Sequence, residues 1–348
     1  MAGKILRGAV VGASTLMGKE LAEELSHASS GVWDLVLLDE QASAGTITSL
    51  GDEAVVMQPV SPEAFTGADA VFFVGEGATA LELWKTAYLA GAVVVDLTGA
   101  LEGQPNVLVR SPLVERSSGS DAGSTAEGLR PDAMTLAEVS AHPAAILLAM
   151  LEARLGSAGL SRIVATVLQP ASVMGSAGVD EMHQQTVSLL SFKPLPQEIY
   201  DAQVAFNLVA SLGEGAREDI ARTSERVRRH LEALAGDRAA GSILLQLLQA
   251  PVFHGYTASV LVEMSQRRSV EEFRRLLEVG GQFVEEESAS NQTSVGKGEV
   301  LFRLSSEGTG GTGSFWLWLA TDNLRLAARN AVACSLELIE WKPRRGIQ

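Results

Sequence analysis

The sequence predicts an α/β protein in two parts: a parallel sheet wound with helices over the first third, then an α+β region built on a broad sheet. Three observations carry this reading. Short β-branched runs at residues 8–11, 35–38, 70–74 and 92–96 alternate with helical periodicity at 18–25 and 81–90, the order expected of βαβ units. The first run and the first helix are joined by a tight turn framed by Gly12 and Gly18. Beyond an apolar helix at 144–155 the texture changes to longer strands and amphipathic helices.

Composition supports a folded chain. Of 348 residues, 46% are hydrophobic, enough to fill the cores of two domains. The 27 Lys and Arg stand against 42 Asp and Glu, a formal charge of −15 that repels phosphate backbones and anionic lipid. Neither nucleic acid nor a membrane is expected as a partner. The single cysteine, Cys334, excludes an internal disulfide and a cysteine-based metal cluster, and the expected compartment is the cytoplasm. The start, Met-Ala-Gly-Lys, runs straight into strand-like residues 5–11 with no cleavable leader. Apolar runs such as 144–151 fall far short of the ~20 residues that span a bilayer.

Along the second part, residues 117–128 read as a Ser, Gly and Ala-rich surface insertion, 162–168 as a strand, 180–190 as a helix and 218–235 as a long amphipathic helix. Strands are expected at 251–263 and 300–304, and a glycine-rich turn at 308–313. In 314–320, Phe315, Leu317 and Leu319 alternate with Trp316 and Trp318, the period of a half-buried strand. A final helix spans 323–341, and there is no internal repeat. The broad sheet suits dimerisation.

The turn is where chemistry enters. Gly12 permits the turn, Gly18 permits close packing of helix on strand, and the free N–H groups of the helix start suit a pyrophosphate, as a dinucleotide-binding turn requires. Thr15 stands where the usual spacing has its middle glycine, and its β-carbon crowds a diphosphate. Asp39 ends the second strand, where a carboxylate bonds a ribose 2′-hydroxyl and repels a 2′-phosphate, favouring NAD over NADP. A ligand-free βα turn and a solvated strand-end charge are the alternatives.

Further stretches accompany the turn: Gly91 through Asp96; Gln169 with Ser172 and Gly175; Gln184, Gln185 and Thr186 ahead of Leu189 and Leu190; Ala205, Phe206, Asn207 and Leu208; Pro251 and Val252 with Gly255; Asp322 through Arg325 with Asn330 and Ala331. In their order and spacing they resemble the aspartate-semialdehyde dehydrogenase family over nearly the whole chain. The resemblance implies a Rossmann NAD(P)-binding domain at 1–143, completed by a C-terminal helix at 321–348, and a homodimer-forming domain at 144–320. It assigns the cofactor to Gly12, Ser14, Thr15, Leu16, Met17, Gly18, Asp39, Gly75 and Asn330, with no metal. The reaction it implies, in amino-acid biosynthesis, is reductive dephosphorylation of β-aspartyl phosphate through a thioester. That chemistry needs a low-pKa thiol, an imidazole and anion-binding arginines.

The sequence departs from the family at each of those positions. The helix that should open with the cysteine reads Ser140, Ala141, His142, Pro143, Ala144, Ala145, which sets Ala145 at the nucleophile's place. Cys334 lies mid-helix as a small hydrophobe. Tyr256 replaces the histidine, and an ordinary phenol, with a pKa of about 10, is a poor base at neutral pH. His254, two residues earlier on the expected strand, shares its face with Tyr256, and His142 is the other imidazole within the matched stretches. Gln249 and Glu102 stand where arginines bind the substrate, Ala221 where a lysine does, and Ala42 where an arginine reads a 2′-phosphate. Gln169 and Glu225 match retained pocket residues.

Three readings follow. The first is a catalytically degenerate, NAD-binding homodimer, able to pair with an active paralogue. The second is an active NAD(P)-dependent oxidoreductase that reduces an aldehyde or other carbonyl without a thioester, using Tyr256, His254 or His142. The third is a cofactor-free interaction protein, motivated by Thr15.

Overall fold

A computed structural model describes residues 5–27, 32–40, 45–50, 53–117, 131–132, 134–236, 241–305 and 312–341. The chain forms two compact units, one drawn from residues 1–112, 125–141 and 327–348, the other from 113–124 and 142–326.

The first unit contains β1 (Leu6–Val11), α1 (Leu16–His27), β2 (Trp33–Asp39), β3 (Ile47–Leu50), β4 (Glu53–Val56), β5 (Gln58–Pro59), β6 (Ala70–Phe73), α2 (Gly77–Leu89), β7 (Val93–Asp96) and β8 (Val107–Arg110). After α3 (Pro112–Ser117), β9 (Ala137–Ser140) completes a seven-stranded sheet ordered β5-β2-β1-β6-β7-β9-β8. Every pairing in it is parallel. The central strands are buried on both faces, which explains their near-continuous apolar runs. Pleating sends Val10, Phe72 and Val95 into one core layer with Leu21 and Leu25 of α1, and Ala9, Val71 and Val94 into another with Ala80, Trp84 and Ala87 of α2. The sequence expectation of a doubly wound α/β sheet is met.

The second unit takes α3 from Leu113 onward and then α4 (Pro143–Gly156), β10 (Leu160–Gln169), α5 (Gly175–Leu190), α6 (Ile220–Ala235) and β11 (Ile243–Gln249). It continues through β12 (Tyr256–Arg268), α7 (Val270–Glu278), β13 (Phe283–Glu285), α8 (Asn291–Ser294), β14 (Val300–Ser305) and β15 (Thr312–Thr321). Its mixed sheet runs β11-β10-β12-β15-β14-β13. α9 (Asn323–Trp341) belongs to the first unit from Ala327 onward, and its Ala328, Ala331, Val332 and Cys334 join the core layer of α1. Phe315, Leu317 and Leu319 on β15 are buried and Trp316 is exposed, as the alternation requires.

Some expectations need correction. The strand expected from residue 251 starts at Tyr256, because Gly255 takes a φ of 84° and ends a turn. His254 is therefore not on the strand. The helix expected from 180 starts at Gly175, and β8, β9 and β11 were not anticipated. The surface insertion beyond Ser117, Ala42, and residues 308–311 of the glycine-rich turn lie outside the described residues. Among the described residues, no helix is long and apolar enough to cross a membrane.

Candidate functional site

In the first unit, the turn after β1 is shaped by close backbone approach. Gly12 has a φ of 95°, and a Cβ built on it would fall 2.4 Å from the backbone N and Cα of Gly75, which follows β6. A Cβ on Gly18 would lie 2.3 Å from the carbonyl oxygen of Gly12. Gly12 and Gly18 are therefore sterically required, and a Cβ on Gly75 would sit tightly against the Gly12 Cα at 3.0 Å. Thr15 does not merely crowd the turn: its hydroxyl donates to the Gly12 carbonyl at 2.8 Å and accepts from the Gly18 N–H at 2.9 Å, capping α1.

Other amides of the turn are engaged too. The Ser14 N–H donates to Asp39 Oδ2 at 2.6 Å, and the Thr15 N–H to the Gly12 carbonyl at 3.1 Å. The first amides of α1, those of Leu16 and Met17, reach no protein acceptor among the described residues, and both residues are partly exposed. They are the donors left for an anion. Asp39 is 5% exposed and also accepts from the Glu40 N–H at 2.9 Å, so its carboxylate braces the turn.

At the same carboxyl edge of the sheet, Arg110 and Ser140 end β8 and β9. Asn330 of α9 is 0% exposed, and its Nδ2 donates to the Arg110 carbonyl at 3.1 Å and the Ser140 hydroxyl at 2.9 Å. Its Oδ1 is buried without a donor among the described residues. Cys334, one turn along, is buried, and that burial together with the neighbouring Glu138 pushes its thiol well above the ordinary range. Glu102 lies in the turn after β7, which Asp96 braces by accepting the Thr98 and Leu101 N–H groups.

In the second unit, α4 opens with His142 as its cap. His142 Nδ1 accepts from the Ala144 N–H at 3.2 Å, and the His142 carbonyl accepts from the N–H groups of Ala145 and Ile146 at 2.8 and 3.0 Å. Pro143 has no N–H. Every amide of the first turn is thus used internally. Ala145 is 0% exposed. The His142 N–H itself donates to His230 Nδ1 of α6 at 2.8 Å, a partner that sequence reasoning missed.

Gln249 and Gln169 pair in register across β11 and β10, with Gln169 Nε2 donating to Gln249 Oε1 at 3.0 Å. Gln249 Nε2 donates in turn to the carbonyls of Gln169 and Ala250. Tyr256 begins β12 one register step beyond the Leu168–Thr257 pair, and its ring centroid lies 6.3 Å from that of His142. Neither its hydroxyl nor Gln169 Oε1, both buried, has a hydrogen-bond partner among the described residues. Burial, then the nearby Glu218 carboxylate, push the Tyr256 phenol far above its ordinary value, with Arg226 opposing. Glu218 and Arg226 are the charges that act on Tyr256, whereas Glu225 sits on the exposed side of α6 and His254 in the turn before β12, its carbonyl accepting from Asn291 Nδ2. Glu225 lies one residue, about 100° around the helix, from Arg226, and His254 falls in the turn that Gly255 ends.

The two halves match known domains. Residues 7–122 match the family model for the semialdehyde dehydrogenase NAD binding domain, and residues 151–326 that for the semialdehyde dehydrogenase dimerisation domain. A USG-1 protein homolog of Pseudomonas aeruginosa is 30% identical over 342 residues, covering 96% of this chain and 98% of the relative. An aspartate-semialdehyde dehydrogenase of Bacillus subtilis is 25% identical, covering 95% and 96%. The structure of a probable aspartate-semialdehyde dehydrogenase from Pseudomonas aeruginosa superposes with a TM-score of 0.80 at 27% identity, over 97% of this chain and 99% of that one. Aspartate semialdehyde dehydrogenase II of Vibrio cholerae, complexed with ASA, shares the fold with the same TM-score at 21% identity, over 97% and 99%. With both domains matched in order and relatives aligned end to end, the chain belongs to the semialdehyde dehydrogenase family.

Proposed function

We propose that this chain is a catalytically degenerate member of its family, a cytoplasmic homodimer that binds NAD and does not reduce aspartyl phosphate. The observation that carries the reading is the start of α4, where a buried alanine takes the nucleophile's place and every first-turn amide is bonded within the helix. No thiol stands there to form a thioester, and an oxyanion at that position would find no free N–H. Loss of a nucleophile alone costs several powers of ten in rate.

The residues present fit a dinucleotide. Gly12 and Gly18 admit no β-carbon, Gly75 packs closely on Gly12, and the Leu16 and Met17 amides are available for a diphosphate. Asn330 Oδ1 is a buried acceptor that a carboxamide N–H2 would satisfy. Bound NAD would supply a hydride-accepting ring. The buried Asp39 charge disfavours a 2′-phosphate, and NAD is the preferred form. The dimerisation domain supports a homodimer, and pairing with an active paralogue would use the same domain.

Direct carbonyl reduction through Tyr256 is less well supported, since a phenol held far above its ordinary pKa neither gives nor takes a proton readily at neutral pH. Two assays test the reading: turnover of aspartate semialdehyde with phosphate and NAD or NADP, and a thermal shift with NAD. No turnover with a rise in melting temperature is expected. Turnover would overturn the degenerate reading, and an unchanged melting temperature at millimolar NAD would leave the cofactor-free interaction protein.

A further inference from the structure

Arg154, in the last turn of α4, is a buried cation whose hydrogen-bonding edge is bare. Only 6% of the residue reaches solvent, and Nε and Nη2 are both buried with no hydrogen-bond partner among the described residues. Burial lowers its pKa from the ordinary value, and no charged neighbour among the described residues acts against that shift. A lysine or glutamate in such a position is relieved by giving up its charge, but a guanidinium, with an ordinary pKa above about 12, keeps it. The negative end of the α4 dipole offsets only part of one charge. An ion held this deep without a partner destabilises the fold, and an anion beside it removes the penalty.

The geometry says what kind of anion fits and from which side. Nε and Nη2 form one edge of the guanidinium, the fork that meets two oxygens of a planar group side-on. Gly280, in the turn after α7, lies against it. A Cβ built on Gly280 would have three Arg154 atoms as its nearest neighbours, Nη2 at 3.1 Å and Cζ and Nη1 at 3.9 Å. Any larger residue there would lie across the guanidinium. Gly280 and Gly281 are both exposed, with φ of 81° and 70°, so backbone without side chains is what separates the cation from solvent on this side.

We propose that the Arg154 fork is a binding site for one small carboxylate, which enters past Gly280 and is distinct from both sites described above. His142 and Arg154 stand at opposite ends of α4, about 18 Å apart at the ordinary helical rise, so a carboxylate here does not fill the place left at Ala145. The dinucleotide turn belongs to the other unit, and binding at Arg154 needs no dinucleotide. A carboxylate carries one charge, which the guanidinium neutralises. A phosphate dianion would leave a second charge buried, in a chain whose formal charge is already −15.

The test is titration of the full-length protein with sodium acetate, at constant ionic strength set by sodium chloride. Isotope-labelled arginine reports on the Arg154 Nε–H resonance, which R154M identifies by its absence. A saturable movement of that resonance is expected, together with a rise in melting temperature that R154M lacks. R154K keeps the charge but loses the fork, and its acetate affinity, read from the thermal shift, should fall by about tenfold. Should R154M not fold, R154K both identifies the resonance and carries the comparison. Inorganic phosphate, as the dianion, should bind more weakly than acetate by at least about tenfold. A resonance that does not move with acetate would overturn the proposal. So would a melting temperature that rises equally in wild type and variant, which is the general effect of an excluded salt. Phosphate binding as tightly as acetate would overturn the assignment to a carboxylate.

Discussion

His142 Nδ1 accepts the Ala144 N–H, so the helix start that an anion would occupy is filled by the chain's own imidazole. Restoring a thiol at Ala145 should therefore not restore activity. A145C is expected to show no turnover of aspartate semialdehyde, and its thiol to resist alkylation until the protein is unfolded, because Ala145 is fully buried. H142A should cost about 1 kcal/mol of stability through the lost cap, read from a urea denaturation curve.

Glu181 of α5 is the anchor of the long connection that follows that helix. Its carboxylate accepts the N–H groups of Glu198 and Ile199 at 2.7 Å each and of Tyr200 at 3.1 Å, while itself almost wholly buried. E181A leaves three backbone donors without acceptors. A loss of about 3 kcal/mol or more is expected in chemical denaturation, with E181Q falling between it and the wild type.

G18A tests the steric reading of the first turn. The added methyl meets the Gly12 carbonyl and the Ala13 Cα, neither of which is the end of a flexible side chain. A loss of about 1–3 kcal/mol in stability is expected, together with loss of the NAD-induced thermal shift.

These tests also show what a sequence can and cannot reveal. The glycine turn and the β15 alternation were readable because each is written in adjacent residues. Residues 243–249 were not, since Ile-Leu-Leu-Gln-Leu-Leu-Gln has a single β-branched residue and takes its strand form from pairing with β10. Glu138 interrupts the apolar pattern of β9 and conceals a fully buried strand. Arg226, Glu218 and His230 were missed for a different reason: what gathers them near Tyr256 and His142 is the packing of α6 and the residues just before it, not any spacing in the chain. Glu225 was favoured by motif alone.

Cys334 makes the protein sensitive to alkali. Its native thiol stays protonated well above 9, whereas the unfolded thiol ionises near 8.5, so above that pH the native state binds one proton more than the unfolded state and stability falls. The contribution is intact below about pH 8.5 and is lost as pH rises toward the native value, by at most about 1.4 kcal/mol per pH unit. Melting temperatures of wild type and C334A between pH 8 and 10 should converge as pH rises.

D39N asks whether charge at the turn sets cofactor choice. Removing the negative charge while keeping a side-chain oxygen for the Ser14 N–H should weaken discrimination against NADP by about tenfold, measured as the ratio of dissociation constants.

The shielding of Cys334 also offers a practical opening. A protein with one thiol, fully buried on the inner face of α9, behaves toward maleimides and spin labels as though it had none. A reporter cysteine placed on any exposed position would be the sole point of attachment in the folded chain. Distances between labelled protomers could then be measured by electron resonance or energy transfer without first rebuilding the native sequence.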